Sequence, residues 1–117
     1  MVVDSNQGKF KQHPSFEKVT MLPMVTGEEG MRAMIRSQKG HVEADHYHSA
    51  RSEVVVLSGK YKIDHPQFKD KKAEILTKGS YYCLPAKCHH RLECLEDGEM
   101  FVAIHGKPDY QPIKKSE

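Results

Sequence analysis

The chain has no tryptophan, only three cysteines and almost no net charge, and each shortage removes a class of protein. Cys83, Cys88 and Cys94 are an odd set without a paired CxxC spacing, which argues against a disulfide framework or a zinc knuckle and for reduced thiols. A net charge of +2 is too small to favour nucleic acid or an anionic membrane as a partner. The first residues, "MVVDSNQGKFKQHPSF", lack an apolar run of signal-peptide length, and no later stretch approaches a membrane span, so a cytoplasmic location is expected. There is no internal repeat or low-complexity tract. Long amphipathic helices are missing too: "EEGMRAMIRSQ" contains helix formers, but its apolar residues alternate and glycine follows closely.

What remains is a chain of 117 residues, 38% hydrophobic and 29% charged, enough for one globular domain with a core of its own. Short apolar runs separated by Gly, Pro and Asp predict strands over 17–24, 31–37, 41–48, 53–63, 72–79, 80–85, 90–95 and 99–106. Met31, Ala33 and Ile35 alternate with Arg32 and Arg36, the period of a strand with one wet face. The stretch 64–71 is a polar loop in which Phe68 is the candidate for burial, and the tail "KPDYQPIKKSE" is a strap or a loose end. Eight or so short strands make the fold all-β, an antiparallel sandwich or barrel.

The chemistry concentrates in "HVEADHYHSARSEVVVLSG", residues 41–59. Side chains two apart on a strand share a face, so His46 and His48 can present two imidazole nitrogens to one point. Neutral imidazole is a common ligand for divalent transition metals, and an added carboxylate suits iron, manganese or zinc. Strict alternation puts Val42 and Ala44 on the histidines' face and turns His41, Glu43, Asp45 and Tyr47 away. Glu53 follows His48 by an odd number. It reaches the histidine face if a one-residue bulge lies in "SARS", as the inward parity of Tyr61 and Ile63 suggests; a second bulge at Gly59 would undo that inference. Downstream, His90 alternates with Leu92 and Cys94 on the inward parity, and His89 points away.

These stretches together resemble the two motifs of the cupins. Gly40, five residues, His46-x-His48, Glu53 and the closing Gly59 resemble the first; Gly79, Pro85 and His90 in "GSYYCLPAKCHH" are similar to the second, with nineteen residues between Gly59 and Gly79. Lys87 stands where a glycine is usual and Cys94 where an asparagine is usual. The resemblance implies a cupin-type antiparallel jelly-roll β-barrel over 17–106, with an N-terminal arm at 1–16 and a C-terminal tail at 107–117. It also implies a metal held by His46, His48, Glu53 and His90, or by the three histidines alone if Glu53 points away.

Other polar residues invite plainer readings. His13, His41, His65, His89 and His105 belong to loops or the outer face; Cys83 and Cys94 read as small core residues. One of Tyr81 and Tyr82 faces the interior, and Arg51 either holds an anionic substrate or salt-bridges at the barrel mouth. By family resemblance the activity expected is that of a small-molecule metalloenzyme of dioxygenase type, with Fe(II) favoured and Mn, Ni or Zn as alternatives. The other expectation is a barrel that binds or senses a small ligand without turning it over. A homodimer joined through barrel edges is the expected assembly, with no nucleic-acid or membrane partner.

Overall fold

In the computed structural model, which describes residues 8–66, 68 and 70–113, the chain forms nine β-strands and, among those residues, no helix. No helix there is long and apolar enough to cross a membrane. The strands are β1 (Lys11–Gln12), β2 (Val19–Gly27), β3 (Gly30–Ser37), β4 (Val42–Tyr47), β5 (Arg51–Asp64), β6 (Glu74–Leu76), β7 (Tyr81–Leu84), β8 (His90–His105) and β9 (Gln111–Pro112). All pairings are antiparallel. The long β8 ties the sheet together: it pairs with β3 through residues 98–104, with β4 through 90–93, and with β5 along nearly its whole length. The sheet curls into a jelly-roll barrel. The two strands read from the sequence at 90–95 and 99–106 are this single strand.

The core comprises Val54, Val56, Tyr61, Ile63, Leu76, Leu84, Leu92, Cys94 and Met100, contributed by the strands around β5 and β8. The parity of β5 changes partway. Ser52, Val54 and Val56 face inward, whereas beyond Gly59 the inward residues are Tyr61 and Ile63. Register shifts against β8 lie between Val56 and Tyr61. Gly59 takes φ +83° there, and a Cβ on it would come within 2.5 Å of the Asp97 carbonyl oxygen. A residue with a side chain is excluded on both counts.

That bulge corrects the parity inferred for the first half of β5. Glu53, Val55 and Leu57 stand on the outer side of the strand, with Leu57 exposed, because the shift falls at Gly59 and not in "SARS". Three smaller expectations also fail. Phe68 is exposed, Cys83 is exposed on the outer face beside Glu53, and His41 is buried. Cys94 is buried as expected.

Candidate metal centre

β4, the turn before β8 and the C-terminal strap converge on three imidazoles. His46 lies opposite His90 in the β4–β8 ladder, which brings their ring centroids to 4.0 Å. His48, just past the end of β4, has its ring 4.9 Å from that of His46 and 5.3 Å from that of His90. One ring nitrogen from each lies within 4.8 Å of the others, close enough for one ion to reach all three after small side-chain rotations.

Each ring is held by its Nδ1. His46 Nδ1 donates to the Ala44 carbonyl at 2.7 Å, His48 Nδ1 to the Asp109 carbonyl at 2.6 Å, and His90 Nδ1 to the Cys88 carbonyl at 3.2 Å. A carbonyl can only accept, so these contacts place the proton on Nδ1 and leave Nε2 of each neutral ring with a free lone pair. His46 is wholly buried, and its Nε2 has no hydrogen-bond partner. A buried acceptor left in that state is unfavourable unless something electron-poor meets it, and three such nitrogens suit a divalent transition metal. Burial, then the neighbouring His46, push His90 down to about 3, and burial likewise lowers His46, so both stay neutral and able to donate at neutral pH.

The turn that delivers His90 keeps the shape a glycine would give it. Lys87 sits at φ +64°, its N–H donates to the His48 carbonyl at 2.8 Å, and Cys88 N–H donates to the Pro85 carbonyl. The left-handed conformation survives at Lys87 despite its Cβ, and the turn is thereby tied to the strand end that carries His48. On the other side, the Asp109 carboxylate caps the Ser49 backbone N–H at 2.8 Å and accepts from its hydroxyl. Tyr110 stacks on His46 at 4.3 Å, and Phe16 meets Tyr110 edge-on at 5.4 Å. The tail is therefore a strap across the histidines as far as it is described.

The structure brings His46, His48 and His90 together and keeps Glu53 apart. Glu53 accepts hydrogen bonds from the Tyr81 hydroxyl at 2.7 Å and from His105 Nε2, on the outer face of β5. The inward position of that strand is taken by Ser52, which lines the same cavity as the histidines. Sequence reasoning also turned Glu43 away, and this is corrected. Between Glu43 and His46 the ladder advances three residues on β4 against two on β8, and this one-residue bulge puts both side chains inside. Glu43 Oε2 accepts from the buried His41 Nε2 at 3.1 Å, and its Oε1 lies 3.6 Å from His46 Nε2. Burial raises the Glu43 carboxyl, but the His41 hydrogen bond and the adjacent His46 outweigh it and the group titrates below its ordinary value. Strict alternation in "HVEADH" carries no mark of that extra residue.

His48 and His90, with His46 buried behind them, open onto a cavity of about 500 Å³. Its walls are mainly apolar, with Met21, Ile35, Val54, Leu92, Met100 and Val102 prominent. Tyr82, inward as one tyrosine of the pair was expected to be, adds a hydroxyl that burial keeps protonated, and His13 from the N-terminal arm lies at the wall.

Comparison with known proteins agrees with this geometry. The sequence model of the ChrR cupin-like domain matches residues 1–109. The DNA damage-repair/toleration protein DRT102 of Arabidopsis thaliana is 30% identical over 98 residues, which are 80% of this chain and 31% of that protein; the chain spans about a third of that relative's length. Among solved structures, the polyketide cyclase RemF from Streptomyces resistomycificus superposes with a TM-score of 0.78 at 16% identity, over 100% of this chain and 87% of that one. An RmlC-like cupin from Shewanella frigidimarina gives 0.75 at 17% identity, over 90% and 89%. At such identities these likenesses establish the shared fold alone.

Proposed function

The chain belongs to the ChrR cupin-like domain family, and from that premise we propose that it is a metal-binding cupin acting as a small-molecule metalloenzyme of dioxygenase type, with His46, His48 and His90 holding a divalent ion. The observation that carries this reading is the unpartnered, buried Nε2 of His46, set among two further imidazoles whose Nδ1 protons are all committed to backbone carbonyls. Bound Fe(II) would supply Lewis acidity and a common point at which a chelating substrate and dioxygen meet. The protein's part is positional. The carbonyls of Ala44, Asp109 and Cys88 fix the three rings, Tyr110 covers one face of His46, and apolar side chains form most of the cavity wall beside them.

The cavity selects by size and polarity. A space of about 500 Å³ falls within the roughly 300–1,000 Å³ typical of small-molecule pockets. The substrate class that fits is a small, mostly apolar compound with an oxygen or sulfur donor at one end, where the histidines lie. Fe(II)-loaded protein should consume oxygen with one member of a panel of diketones, thiols and catechols, and His90→Ala should abolish that uptake. Tight binding of such compounds with no oxygen consumed under iron loading would move the assignment to the second reading. That reading, a barrel that senses or stores a ligand, draws its support from the Tyr110 ring stacked on His46 and the Phe16 ring packed edge-on against Tyr110.

A further inference from the structure

We propose that Glu43 supplies the carboxylate of the metal centre, as a fourth ligand beside His46, His48 and His90, although it precedes the HxH pair where the sequence motif looks for a glutamate after it. The proposal depends on the three-histidine reading above and adds a residue to it.

Glu43 pairs with Leu92 and His46 with His90, and both partners on β8 are buried inside the barrel. The bulge between them turns Glu43 inward, so the carboxylate reaches the cavity from the same strand as His46. Ligand atoms about 2.0–2.2 Å from one metal ion, at angles between tetrahedral and right, stand roughly 3.0–3.5 Å from each other. Glu43 Oε1 and His46 Nε2 are 3.6 Å apart, near that spacing and too far apart for a hydrogen bond.

With its proton on Nδ1, His46 shows a lone pair at Nε2, and a carboxylate oxygen shows another. Two acceptors facing each other inside a barrel repel unless a cation lies between them. Among the described residues no lysine or arginine forms an ion pair with Glu43; its partners are His41 and His46. His41 holds the other oxygen, Oε2, at 3.1 Å and so leaves Oε1 directed at the histidines. His41 is itself fixed: its N–H donates to the Gln38 carbonyl, its carbonyl accepts from Cys94 N–H, and Phe16 packs edge-on against its ring. A carboxylate that ligates a metal is itself held by hydrogen bonds from outer partners, and the His41 N–H fills that place for Glu43. His41 is thus a positioning residue. Glu53, by contrast, already spends both oxygens on Tyr81 and His105.

The test is a titration of metal-free protein with Co(II), whose visible bands report the number and kind of donors. Wild type and Glu53→Gln should bind alike, His46→Ala should bind far more weakly, and Glu43→Gln should lose at least ~10-fold in affinity, since even an outer partner of a ligand is worth that much. The Glu43→Gln bands should also change in position and intensity, an effect that a merely structural role would not produce. His41→Phe should show a smaller affinity loss. Glu43→Gln that matches wild type in both affinity and bands overturns the proposal and leaves the three-histidine reading standing; wild type that binds no Co(II) removes both. If Glu43→Gln does not fold, crystals of Co(II)-loaded wild type decide, with a Glu43 oxygen at about 2.0–2.2 Å from the ion expected and one beyond hydrogen-bond range overturning it.

Discussion

His105 Nε2 donates to Glu53 Oε2 across the β5–β8 ladder, on the side of β5 opposite the cavity, while Tyr81 donates to the same carboxylate from β7. The Tyr81 hydrogen bond, followed by that of His105, holds the Glu53 carboxyl below its ordinary 4.5, and the reciprocal effect pushes Tyr81 up to about 12. A carboxylate depressed in the folded state contributes stability that is present above its unfolded value and lost as the pH falls through its folded one. Glu53→Gln should therefore melt below wild type at pH 7, and the gap should narrow as the pH drops under 4.5. Thermal unfolding across that range checks this. A gap that does not vary with pH would show that the charge plays no part.

Lys87 and Gly59 should respond in opposite ways to the same kind of change. Lys87 holds a left-handed conformation that costs a residue with a Cβ about 1–2 kcal/mol, so Lys87→Gly should stabilise the fold by roughly 0.5–1 kcal/mol, the flexibility gained by the unfolded chain offsetting part of the relief. Gly59→Ala meets both the left-handed strain and the Asp97 carbonyl, and should destabilise by about 2 kcal/mol or more. Urea unfolding midpoints measure both. Equal and small effects would mean the bulge relaxes freely.

The strap can be loosened without touching a ligand. Asp109→Ala removes the cap on Ser49 while leaving the backbone carbonyl that orients His48. The expected outcome is a metal affinity lower by about 10-fold with little loss of secondary structure, as found when outer supports of a metal site are removed. Competition with a chromophoric chelator reads that change. Unaltered affinity would show that the strap holds His48 in place without the carboxylate.

Most of the architecture was legible because it depends on period. The alternation in 31–37 and 53–63 gave the strands, and the i, i+2 spacing of His46 and His48 together with the inward parity of His90 predicted that three imidazoles meet. What period does not carry is where the period breaks. The bulge between Glu43 and His46 left Val42 and Ala44 exposed and drew the carboxylate inside, though nothing in "HVEADH" marks the extra residue. The bulge in β5 did have a mark, Gly59, but "SARS" offered an equal place for it, and Glu53 changes sides with that choice. His41 reads as one more polar strand residue because strict alternation turns it, together with its partner Glu43, away from His46 and His48. The bend of the tail back onto Tyr110 and His46 is a contact between distant parts of the chain that local pattern does not encode.

The central claim is that three imidazoles in one barrel hold a metal ion, and metal analysis combined with a binding titration tests it most directly. Purified chain reconstituted with Fe(II) or Zn(II) and freed of excess should retain one equivalent per chain, and His46→Ala, His48→Ala and His90→Ala should each lose it while remaining folded by circular dichroism. Wild type that retains no metal, or histidine variants that retain as much as wild type, would contradict the account.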